Sequence, residues 1–260
     1  MCEGADAEPC RSFMLPFHLG IDQQDRIWVT NAGADHVVRF PASDPSKVET
    51  FKTGYSGSGL AIDSQGDVWV TNRFGSDLRG LAKLIELGLL GKTGGNVDET
   101  LTRKMWAQNG RDGGSVSLLK PDGTPYPGPP FTGAALPGPW AAAVDGDDNV
   151  WFSNFSSGGH TPLAELCGVR TETCPPGFKT GEQIGPPGGY VGGGLQAITD
   201  LAIGPAGDVW LMNNWENIDS CFGDPEEALS TRCGGQGVTI FFGMAKPVRA
   251  PQIGPAQPVE

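Results

Sequence analysis

An all-β fold, a β-propeller with four visible four-stranded blades, is what these 260 residues predict, and three observations predict it. One thirteen-residue stretch occurs four times, as Leu19–Asn31, Leu60–Asn72, Ala142–Asn154 and Leu201–Asn213. Each copy is a short apolar strand, a polar turn of Asp, Gly or Asn, and a second strand that carries a Trp and ends in Asn, which is hairpin chemistry. Trp28 and Trp69 lie 41 residues apart, the length of one blade. Gly (40) and Pro (22) approach a quarter of the chain while hydrophobic residues supply 38%. That balance suits many short strands and tight turns, whereas a disordered chain would not hold four of its Trp residues in register.

Residues 1–16 form a lead-in clipped by Cys2 and Cys10, residues 17–256 the blades, and residues 257–260 a tail. The first blade follows its hairpin with a turn at Ala32–Asp35, a third strand at His36–Phe40 and a fourth near Val48–Lys52. Trp69 and Trp151 are 82 residues apart, twice the period, which invites a hidden blade. The residues between them argue instead for a helical insertion at about 73–113. Leu78, Leu81, Ala82, Leu84 and Ile85 fall at helical spacing, and a second helical piece is expected over Asn96–Gln108. Third-strand sequence returns at Gly114–Lys120, a turn follows at Pro121–Thr124, and the fourth strand is placed near Pro127–Gly133.

The third blade runs through Thr161–Leu166, a Cys167–Cys174 loop and Gln183–Pro187. The fourth has a Cys221–Cys233 loop, then Gly237–Phe242, and closes near Gln252–Pro255. Both closing strands read Gln-Ile-Gly-Pro, so the chain is expected to stop at a blade end. Each blade needs its neighbours to bury both sheet faces. Whether four blades close a ring, form an arc of a larger one, or are completed by a second subunit stays open. An unclosed arc would expose the apolar faces of its first and last blades and favour self-association, as a homo-oligomer or assembly subunit.

The net charge of −12 argues against a nucleic-acid partner and an anionic membrane surface. No apolar run is long enough to span a bilayer. The six Cys fall into three close pairs, Cys2 with Cys10, Cys167 with Cys174 and Cys221 with Cys233, each bracketing a short Gly, Pro or Asp-rich loop. Local disulfides are the economical reading, because no pair has zinc-ribbon spacing and only three His are present. Disulfides imply a secreted or periplasmic protein. No signal peptide is present in this sequence, so a chain lacking its natural beginning is the simplest reconciliation.

With those residues in view, the chain resembles the NHL-repeat and streptogramin-lyase-like propellers. Ile62–Asn72 reads much like one of their repeats, and Asn31–Phe40 like the turn and third strand of an NHL blade. Gluconolactonase and paraoxonase-type propellers look like more distant relatives. The resemblance covers all four blades and is specific for fold; function is a property of sites grafted onto blades.

In the lactonase group, Asp or Asn just before a first strand supplies metal ligands at the channel mouth. Those positions here are Phe17, Ser58, Trp140 and Thr199, so no metal or other cofactor is expected. His18 and Asp200 stand one residue further on and are the weak catalytic candidates. Streptogramin lyases carry a Glu-x-His after a second strand. Here the Glu positions are Asn31, Asn72, Asn154 and Asn213, and an amide is no general acid or base. These four Asn are a ligand-binding set, as carboxamides facing a channel, or else turn-forming residues that bond their own backbone. The four Trp of the second strands are core between blades.

The insertion from Arg73 to Arg111 holds seven basic and four acidic residues in an acidic chain. Second-to-third-strand connections leave a blade on the channel-mouth face, so Arg73 and Arg79 are candidates for an anionic ligand. The alternative is a docked helix with solvated charges. The leading expectation is a binding or scaffold module that holds a partner protein or small ligand, without chemistry, on its upper face. The alternative is a lyase or hydrolase working at the mouth through His18, Asp200 and a divalent cation.

Overall fold

A computed structural model of the chain describes residues 12–13, 15–73, 114–155, 162–192, 194–215, 235, 237–249 and 257–258. The expected helical insertion with Arg79, the Cys2–Cys10 and Cys221–Cys233 pairs and the closing strand near Gln252–Pro255 lie outside the described residues. Among the described residues the protein is all-β, a β-propeller of four blades, with no helix long and apolar enough to cross a membrane.

Blade 1 is a four-stranded antiparallel meander of β1 (Pro16–Ile21), β2 (Arg26–Asn31), β3 (His36–Pro41) and β4 (Glu49–Lys52). Blade 2 holds β5 (Gly57–Ile62), β6 (Val68–Asn72) and β7 (Ser115–Leu119). Blade 3 is again four-stranded, with β8 (Pro139–Val144), β9 (Val150–Asn154), β10 (Ala164–Leu166) and β11 (Gln183–Ile184). Blade 4 holds β12 (Ala197–Ile203), β13 (Val209–Trp215) and β14 (Val238–Phe241), and β15 (Val248–Arg249) pairs with β16 (Gln257–Pro258) beyond it. The fourth strand expected near Pro127–Gly133 is reduced to a bridge between Val116 and Phe131. A second bridge joins Leu119 and Pro125, with Tyr126 N–H donating to Leu118 O at 2.8 Å, but Pro127, Pro129 and Pro130 have no N–H to join the two bridges into a continuous strand.

The hairpin turns explain why the repeat is written as it is. Each is a three-residue loop whose last residue has a left-handed backbone: Asp25 (φ 54°), Gly66 (82°), Asp148 (63°) and Gly207 (80°). Asp and Gly are the residues that tolerate this conformation. In three blades the turn opens on an Asp whose carboxylate does double duty. Asp63 Oδ1 accepts the backbone N–H groups of Gln65 and Asp67 at 3.0 and 2.9 Å, and Oδ2 accepts the indole N–H of Trp69 at 3.0 Å. Asp22 with Trp28 and Asp145 with Trp151 repeat the arrangement. A buried indole thereby has its one donor satisfied.

Blades stack by unlike faces. Trp28 and Val37 of blade 1 pack on Leu60, Ile62, Val68 and Val70 of blade 2. Trp69 and Leu118 of blade 2 pack on Val144, Phe152 and Leu166 of blade 3. Trp151 and Leu163 of blade 3 pack on Leu201, Ile203 and Leu211 of blade 4. The three Trp are fully buried, and each large apolar side chain so buried contributes roughly 2 kcal/mol. Cys167 and Cys174 form the disulfide expected between them, closing a blade 3 loop pinned to that blade's own hairpin turn by Thr173 Oγ1 donating to the Asp147 carbonyl at 2.5 Å.

Candidate functional site

The first strands β1, β5 and β8 each carry a register shift two residues before the repeat's apolar pair, between Pro16 and Leu19, Gly57 and Leu60, and Pro139 and Ala142. Strand β12 is irregular at the same place. A bulge re-aims side chains and leaves ladder groups unpaired, and the second strand answers with a hydroxyl. Thr71 Oγ1 accepts from Gly59 N at 2.7 Å and reaches across to the Trp140 carbonyl at 2.9 Å. Thr30 takes the His18 N–H at 3.0 Å, and Ser153 the Ala141 N–H at 3.1 Å. At Gly59 the two inner strands come so close that a Cβ would lie 2.7 Å from Ala141 Cα and strike the Trp140 carbonyl oxygen. Only Gly fits there.

Beside the bulges, residues of β1 and β8 meet residues that flank β5, β6 and β9. Phe17 of β1 meets Trp140 of β8 edge-on, with ring centroids 5.4 Å apart, and Trp140 lies 4.5 Å from Phe155. Arg73, just past β6, lays its guanidinium over Trp140 at 4.1 Å and near Phe17 at 6.0 Å, a favourable cation–π arrangement. Its Nε and Nη2 donate to Ser56 Oγ at 3.3 and 3.1 Å. Ser56 is buried and has a left-handed backbone (φ 59°). Such strain costs of order 1 kcal/mol and concentrates at functional sites. Burial pulls the Arg73 guanidinium down to about 10.

His18 follows Phe17 on β1. Burial holds its imidazole below the ordinary value, while the Asp200 carboxylate pulls the other way. The two residues occupy equivalent positions of β1 and β12, and Asp200 accepts the Leu201 N–H at 2.8 Å. The mouth is a poor cradle for a metal ion. Phe17 and Trp140 offer no side-chain ligand, Ser58 Oγ donates to the Trp140 carbonyl at 3.0 Å, and among the described residues no cluster of His, Cys, Asp or Glu has metal-binding spacing.

The four Asn are buried, with their carboxamides turned into their own blades. Asn154 Nδ2 donates to the Ala135 and Pro162 carbonyls at 2.9 and 2.7 Å, and Oδ1 accepts Gly138 N–H at 3.2 Å. Asn213 bonds Gly194 O, Thr239 Oγ1 and Gln196 N in the same manner. Asn72 reaches Ser115 and Ser117, and Asn31 reaches the Ser12 and His36 carbonyls. Each ties the end of a second strand to the segments beside it. Of the predicted site residues, His18 and Asp200 act on each other electrostatically, Arg73 lies over the rings of Phe17 and Trp140, and the four carboxamides are engaged in bonds to neighbouring backbone and hydroxyl groups. Ser56 and Phe155 were not singled out from the sequence. The available signal was the pairing of Pro16-Phe17 with Pro139-Trp140, an aromatic after Pro in two blades that face each other.

No protein-family model and no curated protein sequence matches the chain. Among solved structures it is similar to a streptogramin B lyase, at 13% identity and a TM-score of 0.45 over 77% of this chain. A luciferin-regenerating enzyme matches at 10% and 0.49 over 91%, and the calcium-binding protein regucalcin of Agrobacterium tumefaciens at 10% and 0.45 over 93%. The chain spans 48% of the first, 64% of the second and 63% of the third.

Proposed function

We propose that the protein is an exported binding module that takes an anionic group, borne by a small ligand or a partner protein, at the channel mouth of its upper face. Arg73 carries this reading. A cation lies against the aromatic faces of Trp140 and Phe17 and is steadied by Ser56, where relatives of the lactonase type place metal ligands. The aromatic walls favour an anion with an apolar body. The Cys167–Cys174 disulfide supports export to an oxidising compartment.

The test is thermal unfolding in rising benzoate and, separately, inorganic phosphate. Benzoate is expected to raise the melting temperature of the wild-type chain and to leave Arg73→Ala unmoved. A wild-type chain indifferent to both anions, or an Arg73→Ala variant that responds equally, would overturn the reading.

One observation favours a second reading, hydrolysis or elimination at the same mouth. His18 is kept neutral by burial with the Asp200 carboxylate acting on it, the state a general base requires. If turnover of a lactone or ester is found, His18→Ala is expected to lower kcat by at least about 100-fold, and unchanged turnover would exclude this role.

A further inference from the structure

The outer edge of blade 2, which has a blade packed on either side, holds a cavity. Its two bridges, Val116 to Phe131 and Leu119 to Pro125, are three residues apart on β7 and six apart on the outer segment, so the surplus bows away from the sheet. Gly128, with a left-handed φ of 111°, lets the chain turn within the bow. The cavity measures about 240 Å³ and is walled by Leu118, Tyr126, Pro127, Pro129, Pro130 and Phe131.

These walls are fixed from behind. The Phe131 ring stacks on Trp69 with centroids 5.6 Å apart, and Gly181 of blade 3 lies so close that a Cβ there would strike the ring. Tyr126 is held by its N–H bond to Leu118 O, and its hydroxyl lies 3.5 Å from Thr180 Oγ1. The hydroxyls that line the cavity are engaged. Ser117 Oγ takes the Gly54 N–H at 3.1 Å and the Asn72 carboxamide at 3.0 Å, and Thr53 Oγ1 donates to Gly54 O at 3.0 Å. The Leu118 N–H points to the same side of β7 as its carbonyl, toward the bow, and among the described residues no main-chain acceptor receives it. A ladder continued from the Phe131 bridge would place the Pro129 carbonyl there, and the bow carries that residue off.

Blade 3 has the same bow, between the Glu165–Ile184 pair and the Leu163–Tyr190 bridge. Tyr190 stacks on Trp151 as Phe131 does on Trp69. Its hydroxyl donates to Glu165 at 2.8 Å, and Gly185 of the bow packs so closely on it that a Cβ would strike the phenol. Phe131 has no hydroxyl, and the bow of blade 2 stands over open space.

We propose that this cavity binds a small uncharged ligand, a single aromatic ring bearing a carbonyl. The ring lies among Tyr126, Phe131 and the prolines, and the carbonyl oxygen accepts the Leu118 N–H. Volume sets the size, since a cavity of roughly 150 Å³ holds benzene and the larger space here takes one ring with a short substituent. The lining sets the charge. Lys52, which also borders the cavity, is exposed to water. A carboxylate drawn between proline and aromatic walls would exchange its hydration for one amide donor, whereas a neutral carbonyl needs no more than that donor. The proposal stands apart from the Arg73 reading, because Arg73, Phe17 and Trp140 do not line the cavity.

Acetophenone and ethylbenzene, which differ in one carbonyl oxygen, test it in proton–nitrogen correlation spectra of the full wild-type chain. Acetophenone is expected to bind with a Kd on the order of 1 mM and to move the amides of Ser117, Leu118 and Tyr126, that of Leu118 downfield as its bond forms. Ethylbenzene is expected to bind at least about 5-fold more weakly, because it leaves that donor unpaired. Tyr126→Ala is expected to weaken acetophenone binding at least about 5-fold, and Lys52→Gln and Arg73→Ala to leave it unchanged. The two ligands are compared on the unaltered chain, so the outcome does not hang on a variant folding. No saturable shift at Leu118 overturns the proposal. So does ethylbenzene binding as tightly as acetophenone, which would mean an apolar hole without a polar anchor. Benzoate binding there more tightly than acetophenone, with that advantage lost in Lys52→Gln, would mean an anion site and overturn it equally.

Discussion

Gly204 stands opposite Trp210 at the place where Asp22, Asp63 and Asp145 accept an indole N–H. A Cβ built on Gly204 would lie 3.4 Å from Trp210 Nε1, in ordinary contact. The backbone around it already matches the other blades, with Gly204 N–H to Asp208 O at 2.8 Å and Gly207 N–H to Gly204 O at 2.9 Å. Blade 4 lacks only the carboxylate.

Gly204→Asp is therefore expected to stabilise the protein by about 1 kcal/mol, the net worth of added hydrogen bonds to an ionised acceptor. Urea unfolding followed by Trp fluorescence reads this directly. The converse, Asp145→Ala, strips an acceptor from Trp151 and from the backbone N–H groups of Asp147, Asn149 and Lys246 and is expected to cost about 2–3 kcal/mol.

Thr71→Val tests the bulge. Val keeps the shape but takes the acceptor from Gly59 N–H in a buried setting, while the Trp140 carbonyl keeps its bond from Ser58 Oγ. A loss of about 1–3 kcal/mol is expected. A neutral result would show that the bulge holds its geometry without the hydroxyl.

Stability should fall as pH rises from about 4 to about 7. Burial pushes the Asp63 carboxyl up to about 7 against the pull of its Trp69 bond, and burial likewise raises Glu165 to about 7. Between their ordinary values and 7 the folded state holds protons that the unfolded chain has released, so unfolding becomes easier with rising pH and levels off above 7. Asp22 runs the other way: burial raises it, but its bonds from Trp28 and Arg26 outweigh this, so its contribution is lost only below the ordinary carboxylate range. Unfolding free energies from urea titrations at pH 5 and pH 8 should differ by more than about 1 kcal/mol, and Asp63→Asn should reduce the difference.

Removing the Cys167–Cys174 bridge as a double Ser variant is expected to cost about 2 kcal/mol, near the low end for disulfides, because the closed loop is short. Unfolding with and without a reductant supplies the comparison.

The blades were legible because their cause is local. An Asp placed six residues before a Trp makes a bond within one hairpin, and the same spacing marks three of the four turns. The outer edge of blade 2 misled, since Phe131 sits in a register that looks like a strand while the neighbouring Pro residues cannot complete the ladder. His18 and Asp200 were singled out because they share a repeat position. The meeting of Phe17 with Trp140 depends on how the inner strands are arranged in space, which no spacing encodes. Ser56 carried no signal, because a left-handed Ser looks like any other in the sequence.

The Phe17–Trp140 contact also changes how the array should come apart. In a row of units held only to their neighbours, unfolding can unzip from either end. Here the first blade grips the third directly, past the second, so peeling it away breaks two contacts at once. The fourth blade has no such grip through its Trp. Amide protection should accordingly be graded along the chain, with β13 and β14 opening before β2 and β3, and loss of the Trp140 ring should erase that order.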